Sequence, residues 1–312
     1  MAEYTTLNKV DIKEIVKQYE IPSVISHQIL NGGVENTTHL ITTEGGKYVL
    51  TICEQKTIKK AIELALLLEY LIKYDFSTSK VLRNIDDDLV TIWNNKPVIL
   101  KTFIEGRIIT NLPDDVLIII GKELAQLHNI EAPEYLPKII SYGIENFSEV
   151  SAYKANTSFS KWLDKRTVEV ELHLLPNLPK SIIHSDLFYS NIIISEDNRK
   201  ATIMDFEEAG YYYRVFDIGM TIVGLCAKNE KIDLQKAGNF FEGYQQVNKL
   251  LDIEISKLKI FTMYAAMSIS CWRYKQFNFI QPDSTLFTHY LEMKNIADHI
   301  MSLPEDCFSK LI

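Results

Sequence analysis

Residues 182–206 read IIHSDLFYSNIIISEDNRKATIMDF. Three short apolar segments, 181–183, 192–194 and 202–204, are separated by polar residues of a restricted kind. The turn-forming segment 195–200 between the second and third runs predicts a hairpin. Such a hairpin sets Asn191, before its first strand, beside Asp205, at the end of its second. His184-x-Asp186-x-x-x-x-Asn191 is a loop long enough to put a carboxylate and an amide oxygen on two sides of one site, and Asp205-Phe206 follows fourteen residues after Asn191. Phosphoryl transfer asks for little more: a carboxylate near the attacking hydroxyl, oxygen ligands for a divalent ion and a cover over the phosphates. On that chemistry Asp186 accepts the hydroxyl proton. Asn191 and Asp205 ligate Mg²⁺ through hard oxygens. His184 holds the loop by hydrogen bonding. The competing reading is a surface hairpin with chance polar residues, and the placing of Asp205-Phe206 after an apolar strand argues against it.

Outward from this stretch the pattern changes character twice. Residues 10–19 predict an amphipathic helix, and 24–51 predict consecutive antiparallel strands separated by Asn31-Gly32-Gly33 and Glu44-Gly45-Gly46. Residues 58–74 carry a helical pattern without Gly or Pro. Strands over 89–93 and 98–102 follow, joined by Asn94-Asn95-Lys96-Pro97. Beyond Gly106 helices take over. The first spans 114–129, with Asp114 and Asp115 at the end where the helix dipole favours them. Residues 139–175 give no clear pattern, and the chain from Asp217 onward reads as mainly helical. The composite is an α+β, bilobal chain: a small antiparallel β-rich lobe over residues 1–103 and a larger, mainly helical lobe over 104–312. His128 sits at helical spacing behind apolar residues and reads as structural.

Composition narrows the classes. The 312 residues are 46% apolar and 24% charged, with net charge -8, which favours neither nucleic acid nor an anionic membrane as partner. Four dispersed cysteines without a CxxC pair predict neither a zinc site nor a disulfide framework. The N-terminal segment lacks a signal-peptide pattern, and the apolar runs are too short to span a bilayer. A cytoplasmic location, where ATP is available, is the expectation. Oligomeric state is not legible.

The run HSDLFYSNIIIS…ATIMDFEEAGYYYRVFDIG resembles the aminoglycoside phosphotransferase and choline kinase family, whose fold is protein-kinase-like. The resemblance implies Asp186 as catalytic base, Asn191 and Asp205 as metal ligands, Asp217 as an anchor of the catalytic loop, and ATP with Mg²⁺ as cofactors. Val98 to Gly106 resembles the hinge between lobes, so the backbone from Thr102 to Ile104 would meet the adenine edge. Gly32-Gly33 and Asn36-Thr37 would turn over the phosphates with their amides facing the anion, or form an ordinary hairpin turn. Many members carry Lys or Arg on the next strand for the α- and β-phosphates. Here Thr51 stands in that place, with Lys47 on the same strand face as either a phosphate ligand or a solvated edge lysine.

Gly33-Val34-Glu35-Asn36-Thr37 and Tyr48-Val49-Leu50-Thr51 further resemble type II homoserine kinases, implying homoserine as acceptor. Choline, ethanolamine, methylthioribose and aminoglycosides are the alternatives. Homoserine requires an acid and a base: Glu207 or Glu208 for its ammonium, Arg214 or Arg273 for its carboxylate. An aromatic cage from Trp272, Tyr274 and Tyr211 to Tyr213 would suit choline. A non-catalytic nucleotide-binding module is disfavoured by the complete set Asp186, Asn191 and Asp205. A protein kinase is disfavoured by Glu207 in place of glycine after Asp205-Phe206.

Overall fold

Burial alternates strictly along Asn36–Thr43, with Thr37, His39, Ile41 and Thr43 inside, as a strand with one face on a core requires. The computed structural model describes residues 5–30 and 36–312. Gly32 and Gly33 of the expected phosphate-covering turn lie outside the described residues. The chain divides into two units, Met1–Glu105 and Gly106–Ile312.

The first unit begins with helix α1 (Lys9–Val16). Asn8 caps it in a reciprocal box: its side chain accepts from Val10 N at 2.7 Å and Asp11 N at 3.1 Å, while Asp11 accepts from Asn8 N at 2.8 Å. Strands β1 (Val24–Ile29), β2 (Asn36–Thr43) and β3 (Gly46–Cys53), helix α2 (Ile58–Lys73), and strands β4 (Thr91–Trp93) and β5 (Lys96–Thr102) follow. The strands form one antiparallel sheet in the order β1-β2-β3-β5-β4. The Asn94-Asn95 turn takes φ of 46° and 64°, which Asn tolerates better than most residues, and it closes β4 onto β5 at Trp93↔Lys96. Ile41, Leu50, Ile52, Val98 and Leu100 face one way and share a core with Ile12, Ile15 and Val16 of α1. Strand alternation turns Val49, Thr51, Ile99 and Lys101 to the opposite face.

In the second unit come α3 (Asp114–Asn129), α4 (Glu149–Tyr153), α5 (Ser158–Glu171), β6 (Lys180–Ile183), β7 (Ile192–Ile194), β8 (Ala201–Ile203) and β9 (Gly210–Tyr213). Then follow α6 (Arg214–Cys226), β10 (Ala227–Lys228), β11 (Lys231–Ile232), α7 (Leu234–Val247), α8 (Asp252–Ile255), α9 (Leu258–Lys275) and α10 (Tyr290–Ser302). Helix α9 is buried on nearly every side and packs between α6 and α10, so it shows no single apolar stripe. Helices α3 and α7 approach backbone to backbone, and a Cβ on Gly243 would collide with the Ile118 carbonyl. Gly106 enters the unit at φ 143° and lies against the Ile194 carbonyl, a place that only glycine suits on both counts. Arg107 then exchanges two backbone hydrogen bonds of 2.9 Å with Ile194, anchoring the entering chain on β7.

Candidate active site

The segment between β6 and β8 folds as two linked ladders. Strand β6 pairs with β9, and β7 pairs with β8 from Ile192↔Ile203 to Ile194↔Ala201. The 195–200 turn closes the second pair, with Asn198 at φ 58°. One further bond, Met204 N to Asn191 O at 2.9 Å, carries the pairing beyond the strands. Asn191 is thereby set opposite the residue preceding Asp205.

Three side chains organise the loop after β6. His184 is fully buried. Its Nδ1 accepts from Asp186 N at 3.3 Å, so its Nε2 carries the proton and donates to Met204 O at 2.9 Å. The Phe206 ring meets the imidazole edge-on at 4.8 Å. One imidazole thus ties the Asp186 loop to the end of β8. Asn191 donates through Nδ2 to Asp186 O at 2.8 Å and to the Asp186 carboxylate at 3.2 Å. With the amide nitrogen so engaged, the remaining polar atom is Oδ1, which accepts from the Ser190 hydroxyl at 3.4 Å. Asp217, in the first turn of α6 and fully buried, accepts from His184 N and Ser185 N, each at 2.8 Å, and from His128 Nε2 at 3.1 Å. The other nitrogen of His128 meets the Tyr244 hydroxyl at 2.8 Å. Burial pushes the Tyr244 phenol up, so the hydroxyl keeps its proton and donates it.

Ser185 and Asp205 both adopt left-handed backbone, at φ 69° and 66°. Non-glycine residues there carry strain that surrounding bonds must hold. Asp217 holds Ser185 directly, and the Asn191 and His184 bonds to Met204 hold the approach to Asp205.

No group of three or more His, Cys, Asp or Glu side chains converges on a metal-binding geometry among the described residues. The donors offered are one amide and one carboxylate oxygen. That set fits a hard cation such as Mg²⁺, which takes one or two protein oxygens and completes its shell with phosphate and water.

The other candidate residues separate. Arg214 is forked onto the buried Glu254, with two bonds of 2.5 Å, and also donates to Asn248 at 3.0 Å. This commits it to structure and removes it from the acceptor clamp. Arg273 donates through Nη1 to Glu292 at 2.7 Å and to His289 O at 3.3 Å, while its Nε and Nη2 make no hydrogen bond among the described residues. Glu207 and Glu208 follow Phe206, and one Glu208 carboxylate oxygen is buried without a partner among the described residues. Trp272 packs edge-on against Phe277. Tyr212 and Tyr213 are buried, with Tyr212 bonded to Tyr264 at 3.2 Å. Tyr274 packs on Phe159 and Tyr290. These three tyrosines belong to the core, so the aromatic cage is not assembled.

In the first unit Asn36 and Thr37 lie in β2, paired with Cys53 and Ile52, instead of in a turn, and the Thr37 hydroxyl donates to Glu54 at 2.6 Å. Asn36 opens β2. Lys47 lies over Phe103 and pairs with Glu105 at 3.0 Å. Thr51 is buried, with its hydroxyl unpartnered among the described residues. Thr102 closes β5, and the Ile104 N–H makes no hydrogen bond among the described residues. Sequence reading missed Glu54, which gathers Thr5, Thr37 and Lys96, and the His128–Tyr244 support of Asp217. An aspartate-anchored loop joining β6 to a hairpin, in a chain whose other unit carries a five-stranded antiparallel sheet, marks the class: a phosphotransferase of protein-kinase-like fold.

Comparison with known proteins makes this specific. The sequence model of the phosphotransferase enzyme family, APH, matches residues 26–250, and the chain belongs to that family. It is an ATP-dependent phosphotransferase acting on an alcohol group. A homoserine kinase from Rhizobium rhizogenes (strain K84 / ATCC BAA-868) is 26% identical over 275 residues, covering 86% of this chain and 85% of that protein. Among solved structures, amicoumacin kinase hAmiN in complex with AMP-PNP, Ca²⁺ and Ami aligns with a TM-score of 0.73 at 17% identity, over 95% of this chain and 94% of that one. A microcompartment-associated aminopropanol kinase aligns with a TM-score of 0.71 at 18% identity, over 97% and 98%.

Proposed function

We propose that the enzyme transfers the γ-phosphoryl group of ATP to the hydroxyl of homoserine, using Mg²⁺. The observation that carries the reaction is the Asn191 amide bonded to both oxygen types of Asp186, one ladder position from Asp205. That contact supports a shared task for the proposed base and the proposed ion donors. The Asp186 carboxylate takes the proton of the acceptor hydroxyl, whose oxygen forms the new P–O bond as the bond from γ-phosphorus to the bridging oxygen of ADP breaks. Asn191 Oδ1 and the Asp205 carboxylate would hold the ion, which supplies neutralisation of phosphate charge. His184 positions the loop without touching reacting atoms. The Ile104 N–H would meet the adenine edge.

Homoserine is supported by the homoserine kinase relative and by Arg273, which keeps Nε and Nη2 for a carboxylate. Glu207 and Glu208 are the acids for its ammonium. The aminopropanol kinase neighbour favours a second reading, an amino alcohol without a carboxylate. ATP consumption with homoserine, aminopropanol, ethanolamine, choline, methylthioribose and kanamycin separates them. Turnover with an amino alcohol and none with homoserine would sink the first reading.

A further inference from the structure

We propose that Lys101 on β5 supplies the cation for the nucleotide phosphates that β3 lacks at Thr51. The inference rests on the kinase reading above and answers what replaces the basic residue common on that strand. Register fixes the geometry. Thr51 pairs with Ile99 and Val49 with Lys101, so Thr51 and Lys101 occupy diagonal positions on one sheet face, the face turned away from α1. Diagonal neighbours lie about 7–8 Å apart, within reach of a long side chain. The ammonium can therefore serve the space in front of Thr51 from the neighbouring strand.

Two groups without a partner among the described residues share this face. The Thr51 hydroxyl is buried and has no partner among the described residues. Lys101 is half-buried, and no carboxylate among the described residues pairs with it. Of the other cations near this end of the sheet, Lys47 is held by Glu105, Lys96 by Glu54 and Arg83 by Glu69 in a two-bond fork, while Lys80, whose backbone bonds Thr102, is exposed. The α2 carboxylates that could have held Lys101 are also placed elsewhere, Glu69 on Arg83 and Glu63 toward Lys59. An ammonium without a counter-charge on this face is available to pair with a polyphosphate. Lys47 is less suited, because Glu105 would have to be displaced first.

The test compares wild type, Lys101→Met and Lys101→Arg for binding of Mg·ATP and of adenosine, with thermal melts to confirm folding. Lys101→Gln replaces the Met variant if that one does not fold. Loss of one charge-assisted contact predicts about tenfold weaker Mg·ATP binding in Lys101→Met. Adenosine binding stays within about twofold and Lys101→Arg recovers most of the affinity, because the contact is to phosphate and its charge is retained. Equal weakening of ATP and adenosine would overturn the proposal in favour of an adenine-wall residue. Unchanged ATP binding would reduce Lys101 to a solvated lysine, and a loss found at Lys47→Met but not at Lys101→Met would transfer the role to Lys47. A wild-type protein that neither binds nor consumes ATP would take down the kinase reading as well. Wild-type turnover with an unaffected Lys101→Met removes this inference alone.

Discussion

Asp217 holds two consecutive backbone amides and one imidazole with a single carboxylate, far from solvent. Its charge is tolerable because all three donors converge on it. Asp217→Asn keeps the shape but turns one acceptor oxygen into a donor facing an N–H. The expected loss is about 2–4 kcal/mol of stability, read from urea unfolding, because a buried donor is left unsatisfied. With the amides released, the strain at Ser185 loses its restraint, so kcat should fall even where the protein is fully folded. Asp186 acts differently, on the reacting hydroxyl itself. Asp186→Ala should lower kcat by about 10²–10⁴-fold, the range for a positioned base, while Mg·ATP binding is retained. Full activity in that variant would refute the assignment. Arg273→Met, scored by steady-state kinetics, should raise KM for homoserine while leaving KM for a carboxylate-free amino alcohol within about twofold, since one charge-assisted contact is removed for the first acceptor alone.

At the scale of elements, Glu54 fastens the start of β5 to the end of β3 through Lys96, and reaches Thr5 and Thr37 as well. Burial alone would raise its carboxyl pKa, but the bonds from Lys96, Thr37 and Thr5 outweigh it, and the group titrates below the ordinary carboxylate range. The sign follows. A depressed pKa contributes stability that is complete above the unfolded value and is lost as pH falls through the folded one. Glu54→Gln should therefore flatten the acid side of the stability curve between about pH 5 and 3. It should also cost about 1–3 kcal/mol at pH 7, where a charge-assisted contact is removed. A variant that retains the wild-type acid slope would show that the slope arises elsewhere.

Elements were legible where the chain's own period expressed their surroundings. Strand β2 alternates inside and out, and α3 carries its apolar stripe and acidic first turn, so both stand close to their expected bounds. Helix α5 was not legible: in SFSKWLDKRTVEVE only Phe159, Ser160, Leu163 and Val170 are buried, too few to mark a face. Its one local signal was the Thr157 cap, whose side chain accepts from Ser160 N at 2.9 Å. The same contrast runs through the candidate site. Asp186, Asn191 and Asp205 lie within one hairpin's length, so their nearness follows from local spacing. The His128–Tyr244 bond joins residues 116 apart in the chain, and the commitment of Arg214 to Glu254 spans 40. Neither is encoded in any short window, so the sequence around Arg214 does not reveal its commitment to Glu254.

For the whole molecule, ligand and fold are linked through the donors that the second unit contributes. A ligand bound only by the native state stabilises it by mass action, about 2.7 kcal/mol at a concentration one hundred times its Kd. Mg·ATP should therefore raise the melting temperature in proportion to the logarithm of its concentration. Asp205→Asn is the informative variant, because Asn accepts the left-handed backbone that Asp205 adopts at φ 66°. The unliganded melt should thus stay near that of wild type, while the charge offered to the ion is gone. The shift with Mg·ATP should shrink, and it should need more Mg²⁺ to develop, whereas ATP with EDTA should give the same small shift in both proteins. Equal Mg²⁺ dependence in the two melts would show that Asp205 is not a ligand. The hairpin would then be a support for Asp186 alone, with the ion held by the nucleotide.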